Sequence, residues 1–236
     1  MKVGIMQPYF LPYIGYLSLI KHTDKFILFD TVQFIRHGWI ERNRILKQTG
    51  GWQYIKVPLE KKEINTLIKD IKIKNSEKWK STILAQIQHY KKIAPYYYKT
   101  LEILNKVFEK EYTSIVELNR DLLKEICKYL DIKTSIEIFS EMNLEIKKAN
   151  APDEWALNIC KAIPEVTEYW NPPGGIDFFS REKYEKAGIN LFFQKINLRK
   201  YDQKKEKFEE GLSILDVMMF NSKEEINKML DEFILI

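Results

Sequence analysis

Pro8 and Pro12 bracket three residues near the start of this chain, and what flanks them leaves little topological freedom. Residues 2–6 form a short apolar run that stops at Gln7-Pro8. Proline has no N–H for a ladder, so a buried strand ends there. Pro12 restarts the chain, and Tyr13, Tyr16, Leu17 and Ile20 then recur at a helical period. A second apolar run, residues 25–29, stops at Asp30. Strand, loop, helix and strand in this order predict a βαβ unit, hence a parallel pair and a right-handed crossover.

The rest of the chain is read against that unit. Residues 44–47 and 52–57, around the turn signal Gly50-Gly51, predict a hairpin. Residues 70–73 predict another short strand. Ser76 is a good N-cap for a helix to about Ile93, Pro95 opens a second helix through Phe108, and residues 114–130 give a third. Short elements then return: a strand at 135–139, a helix at 153–163, and a strand at 168–170. The loop Asn171-Pro172-Pro173-Gly174-Gly175 follows, then a helix at 178–187, a strand at 189–194 and helices at 213–220 and 223–232. No repeat and no linker-like stretch interrupts this order. It predicts an α/β fold: one domain over residues 1–236, with a mostly parallel central sheet, flanking helices and a helical insertion at 76–131.

Composition enters mainly as exclusion. The 236 residues are 45% hydrophobic and 30% charged, which excludes disorder as the main state. The net charge of +5 permits an anionic ligand without demanding nucleic acid. Much of it is Lys interspersed with Glu, as in Glu60-Lys61-Lys62-Glu63, which reads as solvated surface. Aromatic residues reach 13%, enough for a large core and a pocket that stacks on something flat. Cys127 and Cys160 are far apart and belong to no Cys/His cluster, so no metal site is predicted and the cofactor is unknown. Reduced thiols, no signal peptide and no apolar run of membrane length together predict a cytoplasmic protein without a membrane span.

Four stretches carry candidate chemistry. In an open α/β sheet, ligands collect at the carboxyl ends of strands, beside helix N-termini. The loop Gln7-Pro8-Tyr9 to Tyr16 belongs there, with Gln7 both donor and acceptor; the alternative is a tight turn with its tyrosines in the core. Asp30, with Gln33 close by, ends the second strand, where a carboxylate holds a hydroxyl, an amine or a ribose; a plain strand-end cap fits equally. The stretch Arg36-His37-Gly38-Trp39-Ile40-Glu41-Arg42-Asn43-Arg44 packs arginine forks, an indole and a histidine into nine residues. Arginine suits carboxylate or phosphate, and His37 is either a general base or a surface loop residue. Last, Gly174-Gly175 after two prolines gives a rigid turn and then a backbone open to close approach. A Walker loop and a GxGxxG turn are both absent, and no Ser-His-Asp arrangement is visible. Trp79 and Tyr90 read as core.

Taken together, Met6-Gln7-Pro8-Tyr9-Phe10-Leu11-Pro12-Tyr13-Ile14-Gly15-Tyr16, Asp30 with Val32-Gln33, Gly38-Trp39-Ile40 with Arg42-Asn43-Arg44, and Val57-Pro58 resemble the WbqC-like family. Asn75 with Trp79, Pro172-Pro173-Gly174-Gly175 with Asp177, Phe193-Gln194 and Leu212-Ser213-Ile214-Leu215-Asp216 extend the match. Pro172 departs from the family pattern, which has a small residue there.

The resemblance implies a Rossmann-like sheet and a role in bacterial surface-polysaccharide, O-antigen type, biosynthesis. It implies a glycine, aminoacyl or acyl transferase acting on the amine of a nucleotide-linked amino sugar, with a charged tRNA or acyl carrier as a possible donor. Asp30, His37 and Gln7 are then the expected catalytic residues. Pro8, Tyr9, Gln33, Trp39, Arg42, Asn43, Arg44, Asn75, Gly174, Gly175, Asp177, Gln194 and Asp216 are expected to bind substrate. The alternatives are a non-catalytic sugar-nucleotide binder and a tRNA-dependent enzyme that engages RNA.

Overall fold

The structure is a computed structural model that describes residues 1–236. It opens with β1 (Lys2–Met6), α1 (Ile14–Lys21) and β2 (Lys25–Leu28), the βαβ unit that the two prolines predict. β1 and β2 pair in parallel, Val3 opposite Lys25 and Met6 opposite Leu28. A hairpin follows, β3 (Arg42–Leu46) and β4 (Trp52–Lys56). Next come α2 (Trp79–Ile87), α3 (Tyr97–Phe108) and α4 (Ile115–Tyr129). The chain then returns to the sheet through β5 (Ser135–Ile138), α5 (Glu154–Ala162), β6 (Glu168–Asn171), α6 (Arg181–Glu185) and β7 (Asn190–Ile196). It closes with α7 (Ile214–Phe220), α8 (Lys223–Asp231) and β8 (Phe233–Leu235).

The six-stranded sheet runs β5-β2-β1-β6-β7-β8, parallel except for β8, which pairs antiparallel with β7. This is a Rossmann-like α/β sheet. From β1 the chain proceeds to β2 and β5 on one side, and from β6 to β7 on the other, so the order reverses between β1 and β6. A crevice at such a switch point is where open α/β sheets bind ligands.

Side-chain alternation divides the core between the two faces of the sheet. Phe26, Leu28 and Trp170 join a cluster of 50 buried residues that also takes in α1, α2, α3, α4, α7, α8 and the hairpin. Val3, Ile5, Ile27, Tyr169 and Phe193 join a cluster of 14 with α5 and α6. The helices of residues 79–129 and the sheet thus share one apolar cluster.

Two local expectations are corrected, and one strand is added. Residues 70–73 form no sheet strand: Ile68–Asp70 is a 3-10 turn, and Ile73 and Lys72 make only isolated bridges to Leu59 and Ser114. Their apolar side chains are buried as a strand's would be, but no partner of strand length lies alongside. Ser76 caps no helix, because Glu77 N–H closes a turn onto Lys74 O and α2 begins only at Trp79. β8 has no counterpart in the sequence reading; its three residues are too few to show a period. By contrast, Ser114, Ser213 and Ser222 do cap α4, α7 and α8, each accepting from backbone N–H groups of the first turn.

Candidate functional site

Residues 7–12 join β1 to α1 without secondary structure, yet Pro8, Phe10, Leu11 and Pro12 are buried. Buried carbonyls outside a ladder need donors from elsewhere. Asn119, on α4, donates to Pro8 O at 2.8 Å and to Ile40 O at 2.9 Å. Asn43, on β3, donates to Phe10 O and Leu11 O at 3.1 and 3.0 Å. Ser213 Oγ donates to Leu11 O at 2.7 Å, Ile214 N–H reaches Pro12 O, and the Tyr16 hydroxyl reaches Gln7 O at 2.8 Å. Three elements distant in sequence, α4, β3 and α7, together with the adjacent α1, therefore fix this loop by its own backbone.

The fixed loop forms one wall of a cleft at the carboxyl ends of β1 and β6. One half, about 680 Å³, is lined by Tyr9, Tyr13, Trp39, Asn43, Arg44 and the Pro172-Pro173-Gly174-Gly175 turn, among others. The other, about 650 Å³, is lined by Gln7, Gln33, Ile35, Trp155 and Phe179, among others. Met6, Tyr9, Asn171 and Phe178 belong to both, so the halves meet at the switch point. Gly175 is required there. A Cβ on it would overlap Asn171 Nδ2 and lie 2.7 Å from the Phe179 ring. At Gly174 a Cβ would meet nothing within 4 Å.

Arg44 is the charge in this cleft. Its guanidinium lies over the Trp39 ring at 5.6 Å and the Trp52 ring at 5.2 Å. Nη2 donates to Gly211 O at 3.2 Å, and Nε is buried without a partner. No ion pair takes up its charge. The Gln7 and Asn171 amides also line the cleft, free of hydrogen bonds to the rest of the chain. Burial raises the pKa of Tyr9, with Tyr13 adding to the effect, and burial likewise raises that of Tyr13. Both phenols stay protonated at neutral pH and are donors rather than bases. No Asp, Glu, His or Cys side chain lines either half.

The structure gathers many of the sequence-predicted residues and leaves others apart. Gln7, Tyr9, Gln33, Trp39, Asn43, Arg44, Gly174 and Gly175 line the cleft. Pro8 is buried behind it, its carbonyl held by Asn119. Asp177 is exposed in the turn after Gly175. Arg42 lies over Tyr54 at 4.2 Å and donates to Gly38 O and His37 O, away from the cleft walls. His37 is exposed at positive φ in the loop that carries Trp39.

Asp30 is 1% exposed and accepts from Ser140 N–H at 3.0 Å and Ser140 Oγ at 2.6 Å. Asn75 joins Tyr112 O and the Trp79 indole N–H, both beyond the hairpin. Gln194 is buried against Ser18 of α1. Asp216 is buried among Tyr90, Tyr201 and Gln203.

Sequence reading missed Asn119, Asn171 and Ser140 as individual residues. Asn119 carried a signal: it interrupts the apolar stripe of Ile115, Leu118, Leu122 and Leu123, and a polar residue there needs a buried partner. Ser140, in a 3-10 turn after β5, carried none. Cys127 and Cys160 are buried and unpaired, and burial pushes each thiol up to about 12, so neither supplies a thiolate.

An uncharacterized protein of Mycobacterium tuberculosis, Rv1507c, is 30% identical over 223 residues, covering 93% of each chain. No solved structure matches the chain significantly. The WbqC-like protein family matches residues 7–228, from the Gln7 loop through most of α8. The match takes in both walls of the cleft and the residues that fix them, and the chain belongs to the WbqC-like protein family.

Proposed function

We propose that this protein is a transferase that places an acyl or aminoacyl group, glycine included, on the amine of a nucleotide-linked amino sugar. The observation that carries the reading is Arg44, an arginine without a carboxylate partner between two indoles in a switch-point cleft. A guanidinium fork suits a diphosphate and the indoles suit a base. The surface-polysaccharide, O-antigen type, role that the resemblance implies favours an amino sugar as acceptor.

In the reaction the amine nitrogen attacks the acyl carbonyl. A C–N bond forms, the bond to the donor's leaving group breaks, and the amine proton ends on that group. The tetrahedral intermediate carries an oxyanion, which neutral donors stabilise. The Gln7 and Asn171 amides and the Tyr9 and Tyr13 hydroxyls are such donors, and the Gly174-Gly175 backbone is open to close approach. His37, exposed in the loop that carries Trp39, is assigned the relay of the proton from outside the cleft walls. Asp30 serves best as the anchor that joins the end of β2 to Ser140.

A cleft without a lining acid, base or thiol also favours a second reading, a sugar-nucleotide binder that performs no chemistry. Mass spectrometry separates the two. The protein is incubated with a panel of nucleoside-diphosphate amino sugars and acyl donors: acyl coenzyme A, acyl carrier protein and charged tRNA. The transferase reading expects an acceptor heavier by the acyl group less one hydrogen. Binding of a sugar nucleotide with no heavier product under any donor supports the binder.

A further inference from the structure

The β3–β4 hairpin stands outside the six-stranded sheet, and one of its faces is unusual. Register puts Arg44 opposite Tyr54 and Arg42 opposite Lys56, with Trp52 beyond. On this face cations and rings alternate. Arg42 lies 4.2 Å from the Tyr54 centroid, Arg44 lies 5.2 Å from that of Trp52, and the Trp52 and Tyr54 rings are 5.0 Å apart. Trp52 is 40% exposed and Trp39, at the cleft end, 37%.

The eighteen ion pairs of the molecule all lie elsewhere, and Arg42, Arg44 and Lys56 enter none of them. The Lys/Glu mixture that makes the sequence look balanced is therefore absent from this face. Around the hairpin tip, a groove of about 940 Å³ carries Lys47, Lys91, Lys92 and Lys205, again with no carboxylate.

Stacking faces in a row with unpaired cations between them are how proteins hold unpaired bases and their phosphates. The open platforms are the two exposed indoles, Trp52 and Trp39, on either side of Arg44, while the Tyr54 ring meets Trp52 edge-on and carries Arg42 on its face, positioning both. We propose that this hairpin face binds single-stranded RNA and leads one end of it, past Arg44 and Trp39, into the cleft. The inference rests on the transferase reading only for what that end delivers, an acyl group esterified to ribose. Binding by the hairpin stands apart from it. An acidic peptide would satisfy the cations and leave the rings unused, which is why RNA is favoured.

The test is fluorescence anisotropy of a labelled, unstructured RNA dodecamer at several salt concentrations, with no sugar nucleotide present. The expected affinity falls steeply with salt, as phosphate contacts require. Trp52→Ala and Tyr54→Ala should each weaken binding about tenfold or more, the second because Tyr54 positions Trp52 and Arg42, with a cooperative melt confirming that each variant is folded. Trp52→Phe should restore affinity, because it keeps a ring. RNA should also quench tryptophan fluorescence in the wild type, and less in Trp52→Phe.

Equal binding by inorganic polyphosphate of matched charge, or unchanged affinity in both alanine variants, would overturn the proposal. So would loss of binding in Lys91→Gln/Lys92→Gln alone, which would put the RNA in the lysine groove. Turnover of amino sugars with a small-molecule donor is read separately, so failure of RNA binding leaves the transferase reading standing, and the converse holds.

Discussion

Arg44 is held by neutral partners alone, two indoles and the Gly211 carbonyl, and this is what leaves its charge available. A charge-assisted hydrogen bond contributes about 1.5–3 kcal/mol. Arg44→Ala should therefore weaken binding of a nucleoside diphosphate about ten- to a hundredfold, read by calorimetry. Arg44→Lys should recover little, since a point charge neither forks nor stacks in the same way. Gly174 and Gly175 make an internal contrast. Gly174→Leu has open space to enter and should block the cleft with a stability change within about 0.5 kcal/mol. Gly175→Ala drives a methyl into Asn171 and Phe179 and should cost about 1–3 kcal/mol in a denaturant melt. Similar melts for the two variants would show that the turn is not packed as described.

At the scale of elements, the opening loop is as much a product of α4, β3 and α7 as of its own prolines. Asn119→Ala would orphan the carbonyls of Pro8 and Ile40, at about 1–3 kcal/mol for each buried group left unsatisfied. Hydrogen exchange should show the amides of residues 9–16 opening faster in that variant while β7 keeps its protection. Uniform protection throughout would contradict the role given to Asn119.

The same contrast explains what the sequence made legible. The βαβ start, the hairpin and the helices with strong apolar periods were readable because their signals are local. The 70–73 segment misled because burial gives an apolar alternation whether or not a partner strand exists. Asn75, Gln194 and Asp216 sit in motifs that match the family, but a motif carries no direction. Which polar side chains face the cleft and which tie the core together depends on contacts such as Asn75 with Tyr112 and Gln194 with Ser18, far apart in sequence.

Across the whole molecule, Asp216 is a buried carboxyl that joins distant parts. It accepts from Tyr90 at 2.6 Å, Tyr201 at 2.5 Å and Gln203 at 2.9 Å, and Tyr90 in turn accepts from Leu46 N–H of β3. Burial pushes its carboxyl up to about 6 in spite of those three donors. The folded state then holds a proton that the unfolded chain has lost, between about pH 4 and 6. Its contribution to stability is full below the unfolded pKa and is lost as pH rises through 6, by on the order of 3 kcal/mol. Melts of the wild type and Asp216→Asn at pH 4.5 and 7.5 should show the wild type losing ground to the variant at the higher pH. A constant difference between them would mean that Asp216 ionises as it does in the unfolded chain.

The sheet brings the Gln7 loop and the diglycine turn to one edge, and the hairpin adds Arg44. A diphosphate-bearing sugar sits at that edge in the proposed reaction. The direct measurement is calorimetric titration of nucleoside-diphosphate amino sugars into the wild type, Arg44→Ala and Asp30→Asn. Binding at this edge gives saturable titration of the wild type, a loss of tenfold or more in Arg44→Ala, and near-wild-type affinity in Asp30→Asn, whose fold is checked by its melt. Affinity that survives the loss of Arg44 would contradict this and place the ligand elsewhere.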